Sequence, residues 1–330
     1  MSGWARRLVV LACACALGLL ASSWGQWGQW GSVTGPTYVW AANNAAGTVS
    51  KWSATGLVGT YTVGTGPVGI VADSGDNAVW IANSGSANVT KLNASTGALI
   101  GTYTASSSPL GIAYDGTYIW AVNAGSHNLT RLKASDGSGQ GNFGYGNLGN
   151  PQAAAFDGTN LWVTNAVSST VSKFTAATGA FVGAYNTSST PSGVCFDGTY
   201  IWVVNGGSPV TRLLASTGAG AGNFAVGTGP HGCVYEPISS SIWITNNTAS
   251  TVTKLVAATG ALVGTYSVTK SPQSPVGIAF DGTYVVAGGW GSPYGISWLN
   301  PLDGSAASTT SLGAGVYGVG TYPTHLLSVP

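Results

Sequence analysis

The chain has 330 residues and a net charge of +1, and only 6% of its residues are charged, against roughly 25% in ordinary soluble domains. With no basic run, it builds no positive field of the kind that nucleic acid or an anionic membrane surface requires, so no nucleic-acid partner is expected. Its 44% hydrophobic fraction, locked to a fixed period, separates it from disordered sequences that are also rich in Gly, Ser and Thr.

At the N-terminus, Arg6 and Arg7 precede an apolar run from Leu8 to Ala21, followed by the small residues Ser22 and Ser23. That order is a secretory signal, so residues 1–23 are expected to be a signal peptide and the mature chain secreted, periplasmic or at the cell surface. The run is shorter than the ~20 residues of an ordinary membrane helix, with an uncleaved anchor as the alternative. No second run of membrane length follows, so no span is expected in the mature chain. Residues 24–30 are a Trp/Gly/Gln linker, and residues 31–330 are read as one domain.

From Pro109 the chain reads Pro-Leu-Gly-Ile-Ala-Tyr, Asp-Gly-Thr, Tyr-Ile-Trp-Ala-Val-Asn, a polar loop, Asn-Leu-Thr-Arg-Leu, then a turn and an aromatic tail. Short apolar runs cut by Asp-Gly and Ser/Thr-Gly signals predict four strands joined by hairpins. The text recurs with its marker at Trp40, Trp80, Trp120, Trp162, Trp202 and Trp243, and with Val286 and Leu327 in the equivalent places. A period of about forty residues with four strands per unit means one propeller blade per repeat. The fold class is therefore all-β, a seven-bladed β-propeller. The alternative is an eight-bladed ring that draws outer strands from the Trp-Gly-Gln tract.

The first inner strand is expected at residues 31–35, and later units open at Pro67, Pro109, Pro151, Pro191, Pro230 and Pro275. Pro is tolerated where a strand's first residue need not donate to the ladder. The first hairpins turn at Asp-Gly, a pair suited to φ > 0 at both residues. Beyond the seventh unit, 318–327 repeats the spacing of 111–120. The segment 314–329 is therefore expected to pack on or complete the first blade, because an open ring would expose blade edges.

Trp162-Val-Thr-Asn165, Trp243-Ile-Thr-Asn246, Thr170-Val-Ser-Lys173 and the Ala-Thr-Gly turn resemble the signature of the YVTN family of β-propellers. The resemblance runs from about residue 31 to the end and implies an exported or cell-surface propeller. The repeat is also similar to virginiamycin B lyase-type propellers. That likeness implies a lyase with clustered His and Glu at one mouth, a cluster this sequence does not offer.

Lys51, Lys91, Arg131, Lys173, Arg212 and Lys254 recur at one position. Pairing of the second and third strands sets each opposite its own repeat's Trp, for a cation–π contact of about 0.5–1 kcal/mol. The alternative is a cationic ring around a ligand. The Asn series at Asn43, Asn83, Asn123, Asn165, Asn205 and Asn246 is expected to satisfy local turn amides. Most Asp residues are turn residues, and no His/Cys spacing suits a metal, so neither metal nor cofactor is expected.

The positions that vary at the mouth are candidates for recognition: His127, Gln152, Ser192 and His231, with Trp290 and Tyr294 from the deviant loop of the seventh unit. Cys195 and Cys233 lie on adjacent inner strands with a one-residue offset, so they are either bridged or two small buried residues. The chain is read as a binding module for an unknown protein, glycan or small molecule. A small-molecule lyase and a self-associating surface protein are the alternatives, and a catalyst is not favoured.

Overall fold

Short runs of Val, Ile, Trp and Thr cut by Gly-containing turns favour strands over helices, and the described residues fold almost wholly as strands. A computed structural model describes residues 38–53, 55–268, 273–291, 295–311 and 315–322. Among them, twenty-eight strands form seven antiparallel sheets of four. The chain is a seven-bladed β-propeller. Blades two to seven are built from consecutive strands, with inner strands opening at Pro67, Pro109, Pro151, Pro191, Pro230 and Gln273.

Blade one is the exception. Its second, third and outer strands are Tyr38–Asn43, Thr48–Ser53 and Gly56–Thr62, and its innermost strand is Val316–Tyr322. Trp40 pairs there with Gly320. The inner strand expected at residues 31–35 lies outside the described residues, and the C-terminal strand takes the inner place. A sheet lacking its inner strand would leave an unpaired edge on the axis, and this pairing removes it.

The inner strands pack against one another around the axis. One repeat position near the start of these strands holds Gly69, Gly111, Gly193, Gly232, Gly277 and Gly318, with Ala153 in blade four. A Cβ at Gly69, Gly193, Gly232 or Gly318 would fall 1.8–2.6 Å from a carbonyl oxygen of the next inner strand. Glycine here lets seven backbones approach closely and form a waist.

The first hairpins differ from the expected turn. Only the Gly of Asp-Gly has positive φ, at Gly116, Gly158, Gly198 and Gly282 (93° to 98°). Asp115 N–H donates to Tyr118 O at 3.1 Å, so Gly116 and Thr117 are the two loop residues and Gly takes the first. That is the II′ arrangement. The Asp is freed to accept: Asp157 Oδ1 takes the amides of Thr159 and Asn160, and Oδ2 takes Trp162 Nε1 at 2.7 Å. Trp120 and Trp202 bond Asp115 and Asp197 in the same way. The Asn series also acts otherwise than expected. Asn83, Asn123, Asn165 and Asn246 donate across to a third-strand hydroxyl, Thr90, Thr130, Ser172 and Thr253.

Each repeat Trp faces its basic residue across the second and third strands, from Trp40 with Lys51 to Trp243 with Lys254. The cation lies 4.8–5.6 Å from a Trp ring centroid. The head group then reaches the next blade. Lys91 donates to Ala134 O at 2.7 Å, Lys173 to Ala215 O at 2.7 Å, and Arg212 to Ala257 O and Ala258 O at 3.1 and 3.0 Å. Arg131 donates to Ala177 O, Lys51 to Ser95 O and Lys254 to Pro301 O.

The same turns are gripped a second time. Tyr61, Tyr103, Phe143, Tyr185, Phe224 and Tyr266 each stack on their own blade's Trp, with centroids 5.3–5.5 Å apart. The rings also press on the next turn's Gly, where a Cβ would lie 1.9–2.2 Å away. Blades one to six thus each latch the next with one cation and one ring. None of the six cations lines the tunnel, so the ligand-ring alternative is not what this geometry builds.

Replacing Lys173 by Met should keep the packing and leave the Ala215 carbonyl without its donor, costing about 1–3 kcal/mol. Thermal unfolding should read this as a fall of about 2–4 °C per kcal/mol. An unchanged midpoint would show that the latch bond contributes nothing net.

Candidate functional site: the central tunnel and its two mouths

The inner strands enclose a cavity of about 840 Å³ that opens on the side of the first hairpins. Its wall follows from strand register. Opposite each repeat Trp the inner strand carries a small residue, including Val71, Ala113, Ala155, Cys195 and Val234, which makes room for the indole. One residue further on stand Tyr114, Phe156, Phe196, Tyr235 and Phe280, which wedge between blades and show a face to the cavity. Blade two has Ala72 there, so the aromatic collar is incomplete.

The polar groups of this mouth are already engaged. The Tyr114 hydroxyl donates to Gly116 O at 2.9 Å. Burial and the carboxylate of Asp73 push its pKa well above the ordinary phenol value, so it stays protonated. Glu236 is fully buried and accepts from the amide and hydroxyl of Ser239. Asp115 is held by Tyr118, Thr117 and Trp120. Among the described residues no group of three or more His, Cys, Asp or Glu side chains is placed to hold a metal ion. The surface that remains is apolar and aromatic.

Cys195 and Cys233 form a bridge in this wall, with Cα atoms 5.8 Å apart. Cys195 sits in the row opposite Trp202, whereas Cys233 pairs with Ile244, one place off that row. The offset turns the two sulfurs toward each other across the boundary of blades five and six.

The opposite mouth collects the sequence-derived candidates. Gln152, Ser192 and His231 are the second residues of three consecutive inner strands. Ser192 Oγ donates to the His231 main-chain oxygen at 2.9 Å, and Gln152 Nε2 donates to Asn150 O at 3.1 Å. The structure therefore brings these three to one rim as a polar arc. Trp290, 46% exposed at the end of Val285–Gly291, lies 5.6 Å from the Tyr317 ring of blade one. His127 is apart from the arc, in a loop of blade three with φ 51°, a turn position that Ala87 and Ser169 fill elsewhere. Tyr294 lies outside the described residues.

His231 is exposed at this rim, and neighbouring protein crowds its ring. Desolvation lowers its pKa, partly opposed by a hydrogen bond to the Val276 main chain. The unfolded chain thus binds this proton more readily than the native one, so the group's contribution to stability falls as pH drops below the ordinary histidine value of about 6.5. An NMR titration should place the His231 midpoint below that value. A midpoint above it would show that the hydrogen bond outweighs the crowding.

No family model matches the chain, and no curated protein does. Solved structures do match, and each shares the propeller fold at low identity. Hydrazine synthase of Kuenenia stuttgartiensis matches at 16% identity with a TM-score of 0.68, covering 83% of this chain and 92% of that one. A functionally unknown protein from Desulfotomaculum acetoxidans matches at 13% and 0.72, covering 86% and 98%. A candidate 6-phosphogluconolactonase from Bacteroides uniformis matches at 12% and 0.72, covering 87% and 99%. These likenesses establish the architecture, a β-propeller, and nothing finer.

Proposed function

We propose that this chain is an exported binding module that takes an apolar or aromatic part of a small-molecule ligand into the tunnel. One observation carries this reading: the carboxylates and cations of the repeat are consumed by turns and latches, while an 840 Å³ aromatic-collared cavity is left. Ligand sites are typically cavities of about 300–1,000 Å³ with mostly apolar walls and few polar groups. The polar arc of Gln152, Ser192 and His231 at the far mouth offers the orienting groups. Export is supported by the signal-like order of residues 1–23 and by the bridged cysteines. YVTN-family membership is supported by the repeat motifs alone.

Ligand-observed NMR with indole and naphthol probes tests the reading. Saturable binding should vanish on Ser74→Arg, which puts a charge at the open mouth of the tunnel from an exposed turn position. Equal binding to that variant would remove the tunnel as the site. Supply of virginiamycin B in the same assay addresses the lyase alternative, which requires clustered His and Glu side chains, whereas His127 and His231 stand on different blades and Glu236 lies at the opposite mouth.

Self-association is favoured by a separate feature. The outer strands of blades one and two begin with exposed apolar pairs, Leu57-Val58 and Leu99-Ile100, repeated at Phe181-Val182 and Leu262-Val263. A concentration-dependent shift in sedimentation, abolished by Val58→Asp with Ile100→Asp, would support it.

A further inference from the structure

Two hydroxyls in the tunnel wall are exceptions to its otherwise engaged polar groups. Ser74 and Tyr235 both line the cavity, and neither side-chain oxygen has a hydrogen-bond partner among the described residues. Neither oxygen is among the enclosed, unpartnered polar atoms, so both meet open space at the mouth. Ser74 is exposed in the first hairpin of blade two, where bulk water serves it. Tyr235 is different. It is half-buried in the aromatic collar, with its ring packed on the core of blades five and six.

Tyr114 holds the same repeat position in blade three, and the comparison shows why Tyr235 is left free. The Tyr114 hydroxyl donates to Gly116 O of its own hairpin at 2.9 Å and also meets Asp73 of the preceding blade. In blade six Pro237 stands in the place of Gly116, and its oxygen takes the Ser240 amide instead. Asp197, the matching carboxylate of blade five, already accepts from the amides of Thr199 and Tyr200 and from Trp202. The phenol of Tyr235 therefore has no partner on either side.

Its position suits a flat guest. The collar ring missing from blade two, where Ala72 stands, is three blades from Tyr235 around a circle of seven, and so nearly opposite. A planar ring across the mouth finds room at Ala72 and a hydroxyl at its other end. Asp115 is the one charged residue among those lining the cavity, and its oxygens are taken by two amides and Trp120.

We infer that the tunnel selects a neutral hydroxyaromatic ligand, a phenol or naphthol, whose hydroxyl exchanges a hydrogen bond with Tyr235. This rests on the tunnel reading and adds a polarity requirement to it. A guest without the hydroxyl covers Tyr235 with apolar surface and leaves it unpaired, which is how a hydrogen-bonding site rejects the analogue that lacks the group. An anionic guest gives up its hydration with no cation to meet it.

Competition by ligand-observed NMR tests this with 2-naphthol, 2-methylnaphthalene and naphthalene-2-sulfonate. The naphthol should bind about three- to tenfold tighter than the methyl analogue, the size of one hydrogen bond, and the sulfonate weaker than either. Tyr235→Phe installs the residue type of Phe156 and Phe196, so the wall is kept, and should equalise the naphthol and the methyl analogue. Ser74→Ala should leave the preference unchanged. Equal affinities in the parent chain that vanish together on Ser74→Arg would keep the tunnel and overturn the hydroxyl requirement. A preference that survives Tyr235→Phe, or is lost on Ser74→Ala, would overturn Tyr235 as its source. Tighter binding of the sulfonate would overturn the neutral class. Absence of binding by all three probes would overturn the tunnel reading and this inference together.

Discussion

Replacing Trp162 by Ala is expected to lower the unfolding free energy by about 3–5 kcal/mol, the usual range for a buried Trp. Its indole is fully buried, and three contacts lean on it. Tyr185 stacks on it at 5.3 Å, Lys173 lies 4.8 Å from its centroid, and Asp157 accepts its N–H at 2.7 Å. Removing the ring also frees Tyr185, which presses on Gly218 of blade five, so the damage should cross one blade boundary. Trp162→Phe keeps most of the ring and loses the N–H donor, at a smaller cost of about 1–3 kcal/mol. Urea titration of both variants reads the two parts separately. A loss of under about 1.5 kcal/mol for the Ala variant would mean that the blades relax and refill the space.

The second large effect concerns the bridge between blades five and six. Cys195 and Cys233 are 38 residues apart in sequence, and cutting a crosslink of that kind typically costs about 2–4 kcal/mol through the unfolded chain. Unfolding with and without reductant should differ by that amount in the parent chain and not at all in a Cys195→Ala, Cys233→Ala variant. Thiol titration of the denatured, unreduced protein lacking residues 1–23, which hold the other two cysteines, should find neither thiol free. Coincident unfolding curves would show that the link does not hold the tunnel wall together.

The architecture was legible because the repeat writes it many times: the Trp marker, the Asp-Gly turn and the Gly of the third turn fall at one spacing. The Trp–basic register was legible for the same reason. What the basic head groups do next was not, because their acceptors are main-chain carbonyls and a carbonyl leaves no mark in the sequence. The Asp-Gly turns were misread as needing two positive φ angles, since the dipeptide does not show that Asp serves as acceptor for the amides and the indole. The closure of blade one by the C-terminal segment was legible because 318–327 repeats the spacing of 111–120, and Val316–Tyr322 does pair with Tyr38–Asn43; the inner strand also expected at residues 31–35 lies outside the described residues. Of the candidate residues, Gln152, Ser192 and His231 share a rim because they share a repeat position, which periodicity does encode.

The C-terminal closure of blade one also bears on the order in which the protein can be finished. Synthesis delivers the other twenty-seven described strands before Val316–Tyr322, so blade one stays three-stranded while six complete blades accumulate beside it. During that interval the edge of Tyr38–Asn43 is an open template, and the core shared by Val39, Ala41, Trp52, Trp298 and Val316 is incomplete. A ribosome product that stops short of residue 316 would carry both defects whatever the quality of its other blades. The ring therefore acts as a length check on its own translation: proteolytic resistance should arrive in one step with the last strand, and not gradually with each blade.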